Sequence, residues 1–238
     1  MEDSGAVGTL VLIPSPLGEE WEGRTLPALA LERVRELRYF AVEELRTARR
    51  YLAKLAMPVP IGELELEPFD RRSSLADAQR LLAPVRGGLS LGVISEAGAP
   101  GIADPGALLV AEAHRLGIPV EPLVGPSSIL LTLMASGLNG QNFAFVGYLP
   151  VESAARIQRI HQLEHRAQRE GQSQLFIETP YRNESLLQQL LTSLSPRTQL
   201  CLGYGLHNPG GWVRTKPVAQ WRKAVPHLGK TPTLFAIL

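Results

Sequence analysis

The segment ISEAGAPGIADPG, Ile94 to Gly106, sets three glycines and two prolines around two carboxylates, directly after an apolar run and ahead of a helix-like one. Glycine gives up the most chain freedom on folding. A loop this rich in it marks a backbone that something approaches closely, or a turn that the fold itself requires. Neither common phosphate cradle is present, since no Gly-Lys-Ser/Thr ends the loop and the G-x-G-x-x-G spacing is absent. Glu96 and Asp104 would repel a phosphate held by backbone donors. They suit a cation, or the hydroxyl and amine groups of a neutral ligand.

A second chemical pattern is HQLEH, His161 to His165, which matches the H-x-x-E-H arrangement of inverted zinc proteases. Residues four apart share a helix face, but the surrounding RIQRIHQLEHRAQREGQ reads as a polar, arginine-rich, solvated helix. Catalytic zinc needs a dry, shaped site. No third ligand can be assigned, and no metal is expected. No G-x-S-x-G elbow supports a serine hydrolase. Arg33, Arg35, Arg38, Arg46, Arg49, Arg50 and Lys54 are interleaved with Glu32, Glu36, Glu43 and Glu44. That is first a pattern of ion pairs along helix faces, and second a possible RNA contact.

The elements around these residues follow from composition and periodicity. The chain has 238 residues, 45% of them hydrophobic, enough for one large core or two modest ones. Its 24 basic and 23 acidic residues leave a net charge of +1, which excludes a global attraction to nucleic acid or to an anionic membrane. Cys201 is the single cysteine, so no internal disulfide framework or cysteine-rich metal site exists. The acidic start does not read as a secretory signal, and no apolar run is long enough to span a membrane. A cytoplasmic protein is expected. GTLVLIPSPLG, YFAVE, SLGVIS and PVEPLVG read as strands, alternating with helix-like stretches at about 25–37, 44–56, 74–85 and 106–117. This alternation predicts a parallel sheet. After LVGPSS, five strand-like runs with two or three helices predict a mixed sheet. The expected fold is therefore α/β with two domains, 1–124 and 125–238, and a ligand cleft between them.

Taken in order, GTLVLIPSPLG, VEELRTAR, ISEAGAPGIADPG, LVGPSS, FAFVGYLP and FIETPYR resemble landmarks of the tetrapyrrole methylase family of S-adenosylmethionine-dependent methyltransferases. They are most similar to the branch that methylates a ribose hydroxyl of small-subunit ribosomal RNA. The chain ends at Leu238 without the extra C-terminal helical domain of that branch, so a short form is expected. The resemblance implies S-adenosylmethionine as cofactor and a homodimer. It also implies cofactor contacts from Pro14 and from the loop residues Ser95, Glu96, Ala97, Gly98, Ala99 and Ile102. Ser127 and Ser128 would contact the cofactor near the domain boundary. Phe145, Ile177 and Glu178 would form the opposite wall, with the turn Thr231, Pro232 and Thr233 near the adenine.

Methyl transfer to a hydroxyl profits from a base, for which Glu44, Glu96 and Glu178 are candidates. By the same resemblance Arg46, Tyr181 and Arg182 would bind substrate, the arginines by anchoring an anion. The alternative for the arginines is ion pairing with Glu44 or Glu178. Three functions remain open: a ribose-directed RNA methyltransferase, a methyltransferase of a small molecule such as a tetrapyrrole, and a non-catalytic nucleotide- or RNA-binding module.

Overall fold

A computed structural model of the chain describes residues 7–18 and 25–238; the acidic start at residues 1–6 lies outside them. Among the described residues, one compact unit is built from residues 7–17 and 25–127, the other from Gly18 and Ser128–Leu238. The chain passes from the first unit into the second between Ser127 and Ser128.

In the first unit the apolar runs become β1 (Leu10–Ile13), β2 (Tyr39–Val42), β4 (Leu91–Ile94) and β5 (Val120–Pro122), with β3 (Glu65–Pro68) as a fifth strand. They form one parallel sheet in the order β3-β2-β4-β1-β5. Every residue of β2 and β4 is buried, as expected when both faces of a parallel sheet are covered. The two-residue period divides the cores. Phe40, Val42, Ile13 and Ile94 pack under α1 (Ala28–Arg35) and α2 (Leu45–Lys54). Tyr39, Ala41, Leu91 and Val93 pack under α3 (Leu75–Arg86) and α4 (Gly106–Arg115). Ser74 and Asp77 close a capping box at the start of α3, which satisfies N–H groups the helix leaves free.

β3 was not expected, because ELEP carries no apolar run. It is an edge strand paired only with β2, so it has no second partner against which to bury its residues. The sheet also fixes where a ligand can sit. β1 and β4 are neighbours, yet the chain leaves β1 toward β2 on one side and leaves β4 toward β5 on the other. Such a reversal opens a crevice beyond the carboxyl ends of the two strands.

The second unit contains α5 (Ser128–Ser136), β6 (Phe143–Tyr148), α6 (Ser153–Glu170), β7 (Ser173–Ile177), α7 (Asn183–Ser193), β8 (Gln199–Tyr204), β9 (Trp212–Pro217), α8 (Val218–Trp221) and β10 (Thr233–Ile237). Its sheet runs β6-β7-β10-β8-β9. β6 and β7 are parallel and the remaining pairs antiparallel, the mixed sheet expected. Ile160 and Leu163 of α6 and Leu186, Leu187 and Leu190 of α7 cover Phe176, Leu200, Leu202, Phe235 and Ile237. The opposite face receives α5 through Leu133, against Leu175, Cys201, Leu234 and Ala236. On β9 the Arg214 guanidinium lies 4.6 Å from the Trp212 ring centroid and Lys216 Nζ 4.8 Å from that of Trp221. Among the described residues no helix is long and apolar enough to cross a membrane.

Candidate functional site

Because β1 and β4 are adjacent and parallel, their carboxyl ends emerge side by side, and the loops that follow are hydrogen-bonded to each other. Ser15 N donates to Gly98 O at 2.8 Å and Gly98 N to Ser15 O at 3.0 Å. Ser15 Oγ donates to Ser95 O at 2.7 Å, and Ser95 Oγ to Gly98 O at 3.3 Å. The Tyr51 hydroxyl holds Pro14 O at 2.6 Å, and burial pushes that phenol well above its ordinary pKa. A third segment closes in at Gly125, where a Cβ would lie 2.4 Å from Pro14 Cβ. Only glycine allows the chain to pass there. Gly98 sits at φ +77°, a left-handed conformation that favours the same residue.

Asp104 sets the curve of the glycine-rich loop. Its Oδ1 accepts from Gly101 N and Gly106 N, both at 2.7 Å, while its buried Oδ2 has no hydrogen-bond partner. Burial raises its pKa, against the lowering effect of those two N–H donors. By its type Asp104 suits a cation or a polar ligand; in the structure its Oδ1 turns inward to the loop backbone.

The resemblance-assigned residues of this unit fall into two groups. Pro14, Ser95 and Gly98 are buried and spend their polar groups on the loops, whereas Glu96, Ala97 and Ile102 are exposed and Ala99 is half-buried. The second group presents small and acidic side chains to solvent around a fixed backbone. Glu96 N donates to Glu43 Oε2 at 3.0 Å. Glu44 caps α2, accepting from Arg46 N at 3.0 Å and Thr47 N at 2.5 Å, and the Thr47 side-chain hydroxyl, followed by these two backbone donors, holds its carboxyl below the ordinary glutamate range. Glu44 therefore engages the Arg46 backbone. The Arg46 side chain is exposed. Ser127 and Ser128 are half-buried at the approach to α5.

In the second unit Phe145 and Ile177 pack on the edge of the cluster around Leu133. Thr231 O accepts from Asn183 Nδ2 at 2.8 Å and from Thr233 Oγ1 at 3.0 Å, and Pro232 O from Gly205 N at 2.9 Å. The Glu178 carboxylate is fully buried beside two arginines. Arg182 Nη2 lies 2.7 Å from Oε1 and Arg156 Nη1 3.8 Å from Oε2. Glu178 thus holds an ion-pair position, with no free carboxylate to act as a base. Arg156 was not singled out in the sequence. The signal was present, because Arg156, Ile160, Leu163 and Ala167 recur at helical spacing and all four are buried, so a charge occupies an apolar stripe.

HQLEH lies on α6 with His161 and His165 exposed. Glu164 turns inward, accepting from Ser195 N at 2.7 Å and from the Thr198 hydroxyl. Among the described residues no three ligating side chains gather.

No protein-family model matches the chain. Among curated proteins it is similar to the ribosomal RNA small subunit methyltransferase I of Xylella fastidiosa, 33% identical over 185 residues, covering 78% of this chain and 63% of that protein. The Mycobacterium bovis protein of the same name is 34% identical over 187 residues, covering 79% and 62%. The Vibrio cholerae protein is 28% identical over 211 residues, covering 89% and 69%. The chain therefore spans somewhat less than two thirds of the first two relatives. Among solved structures, the methyltransferase CobJ superposes with a TM-score of 0.63 at 19% identity, covering 98% of this chain and 94% of that one. Uroporphyrin-III C-methyltransferase from Thermus thermophilus superposes with a TM-score of 0.56 at 22% identity, covering 97% and 94%. At such identities the likeness is one of fold.

Proposed function

We propose, from the likeness to the ribosomal RNA small subunit methyltransferase I proteins and from the shared fold of the tetrapyrrole methyltransferases, that the chain is a member of the tetrapyrrole methylase family and a cytoplasmic S-adenosylmethionine-dependent methyltransferase acting on a ribose hydroxyl of ribosomal RNA. The observation that carries this reading is the pair of hydrogen-bonded loops beyond β1 and β4, at the sheet's reversal point. Small side chains there let a bulky ligand reach backbone N–H and C=O groups, and the exposed Glu96 carboxylate complements a cationic one. The residues present fit the cofactor.

S-adenosylmethionine supplies, when bound, an electrophilic methyl group on a sulfonium whose departure leaves a neutral thioether. The protein's task is then alignment, which can remove about 7 kcal/mol or more of the barrier. Pro14, Ser95 and Gly98 hold the loop backbone in place, while Ala97, Ala99 and Ile102 give the contact surface. Of the three candidate bases, Glu44 caps a helix and Glu178 is enclosed by arginines. Glu96 keeps an exposed carboxylate, and we assign it the substrate hydroxyl's proton. Ser127, Ser128, Phe145, Ile177 and the turn Thr231 to Thr233 enter as cofactor contacts on the strength of the family resemblance, as do Arg46, Tyr181 and Arg182 as substrate contacts. A homodimer is proposed on the same ground, to be checked by sedimentation.

The solved relatives act, by their names, on tetrapyrroles, which supports a second reading as a small-molecule methyltransferase. Incubation of the protein with methyl-labelled cofactor and cell extract separates the two. Label in the ribose of small-subunit RNA supports the first, and label confined to a low-mass fraction overturns it in favour of the second. Cofactor binding without turnover in any fraction would leave a binding module.

A further inference from the structure

The turn Pro180–Arg182, between β7 and α7, gathers more positive charge than its surroundings neutralise. Arg156 and Arg182 share the single Glu178 carboxylate, so the trio carries one net positive charge. The Arg156 side chain is 6% exposed and that of Glu178 is 0% exposed, where an unbalanced charge is costly. Arg156 Nε and Arg182 Nε are buried without a hydrogen-bond acceptor. Were Arg156 absent, Glu178 would cancel Arg182; with Arg156 behind it, Arg182 at 36% exposure keeps its attraction for an anion. Arg182 is also the cap residue of the 11-residue α7, where no side-chain hydrogen bond caps the helix start. The partial positive charge of the helix start therefore adds to the same place.

Beside this anion site stands Tyr181, 79% exposed, with Lys230 Nζ 5.2 Å from its ring centroid. The segment before Lys230 is tied to α7 by Glu184, which accepts from Leu228 N at 2.7 Å and Gly229 N at 2.9 Å and pairs with His227. An aromatic ring open to solvent and flanked by cations is what a single-stranded nucleic acid contacts, through a stacked base and its adjoining phosphates. Resting on the RNA reading above, we propose that Tyr181, Arg182 and Lys230, with Arg156 as the positioning charge behind them, form an RNA-docking surface on the second unit. Tyr181 stacks on an unpaired base, and Arg182 and Lys230 take the phosphates on either side.

The test uses the full chain with intact small ribosomal subunits and, separately, a short single-stranded RNA at low salt read by fluorescence anisotropy. Tyr181→Ala and Lys230→Ala lie on the surface and should fold. Each is expected to raise KM for subunits and Kd for the oligonucleotide about ten-fold, with cofactor affinity by calorimetry unchanged. Arg156→Gln should weaken oligonucleotide binding in the same sense, and Arg156→Lys should restore part of it. Unchanged KM and Kd in both surface variants overturns the proposal while the RNA reading stands. So does Arg182→Ala if it weakens cofactor binding and leaves both RNA readouts unchanged, since the anion would then be the cofactor's carboxylate. If wild-type protein puts no label into RNA yet oligonucleotide binding falls in the variants, the methylation reading fails and the surface stands.

Discussion

Asp104 holds two backbone N–H groups with one oxygen and leaves the other oxygen buried and unpaired. Asp104→Ala should cost about 1–3 kcal/mol, because both donors lose their acceptor in a partly buried loop; the shift of a urea midpoint measures it. Asp104→Asn keeps the acceptor and removes the titration. Since burial raises the folded-state pKa of Asp104, its contribution to stability is fully present below the unfolded value of about 4 and is lost as pH rises through the folded value. The Asn variant should therefore gain on wild type between pH about 4 and neutrality, and a difference independent of pH would refute this account. Ala99 tests the neighbouring surface. Ala99→Leu adds bulk to a half-buried position beside exposed Ala97 and Glu96, so calorimetry should show weaker cofactor binding with little change in melting temperature. Equal losses of both would assign the loop to the fold alone. The sequence displays both carboxylates of this loop, but the inward turn of Asp104 depends on the Gly101 and Gly106 N–H groups, and the loop backbone at Glu96 on its bond to Glu43, which no spacing rule reveals.

At the scale of elements, the legible parts were those whose burial repeats locally. β1, β2 and β4 are apolar runs because both faces of their sheet are covered, and α6 shows its buried stripe at helical spacing. β3 was illegible for the converse reason, since an edge strand of glutamates and proline needs only one neighbour. The start of α1 at Ala28, later than the expected 25, follows from Pro27, which takes the cap position with φ −59° and ψ 152°. The joining of the β1 and β4 loops could not be read from either loop, because it depends on the strand order. That joining gives a test at Gly125, where a methyl group would press on Pro14 Cβ at 2.4 Å. Gly125→Ala should cost about 1–3 kcal/mol as an overpacked contact and should also weaken cofactor binding by displacing the Pro14 loop. A variant that binds cofactor as wild type does would detach Pro14 from the site.

For the whole molecule, the near balance of 24 basic and 23 acidic residues limits how it can find RNA. With Arg182 and Lys230 each taking a phosphate at the docking surface, binding to protein-free RNA should weaken with salt at a logarithmic slope of only about −1.4, from about −0.7 per phosphate for single strands. Methyl transfer should favour intact subunits over naked RNA, because a few positioned contacts must be supplemented by shape. A steep slope, or equal incorporation into both substrates, would sink this expectation. The outermost strands of the two sheets share a further property. β3 carries Glu65, Glu67 and Pro68, β5 carries Glu121 and Pro122, and β9 carries Arg214, Lys216 and Pro217. β6 breaks its register between Phe145 and Tyr148, with Gly147 at φ +70°. Each open border is thus charged, proline-terminated or kinked, the devices that stop one sheet from templating another. The protein should accordingly stay free of fibrillar growth when concentrated or partly unfolded, and replacing Arg214 and Lys216 by valine should be enough to seed it.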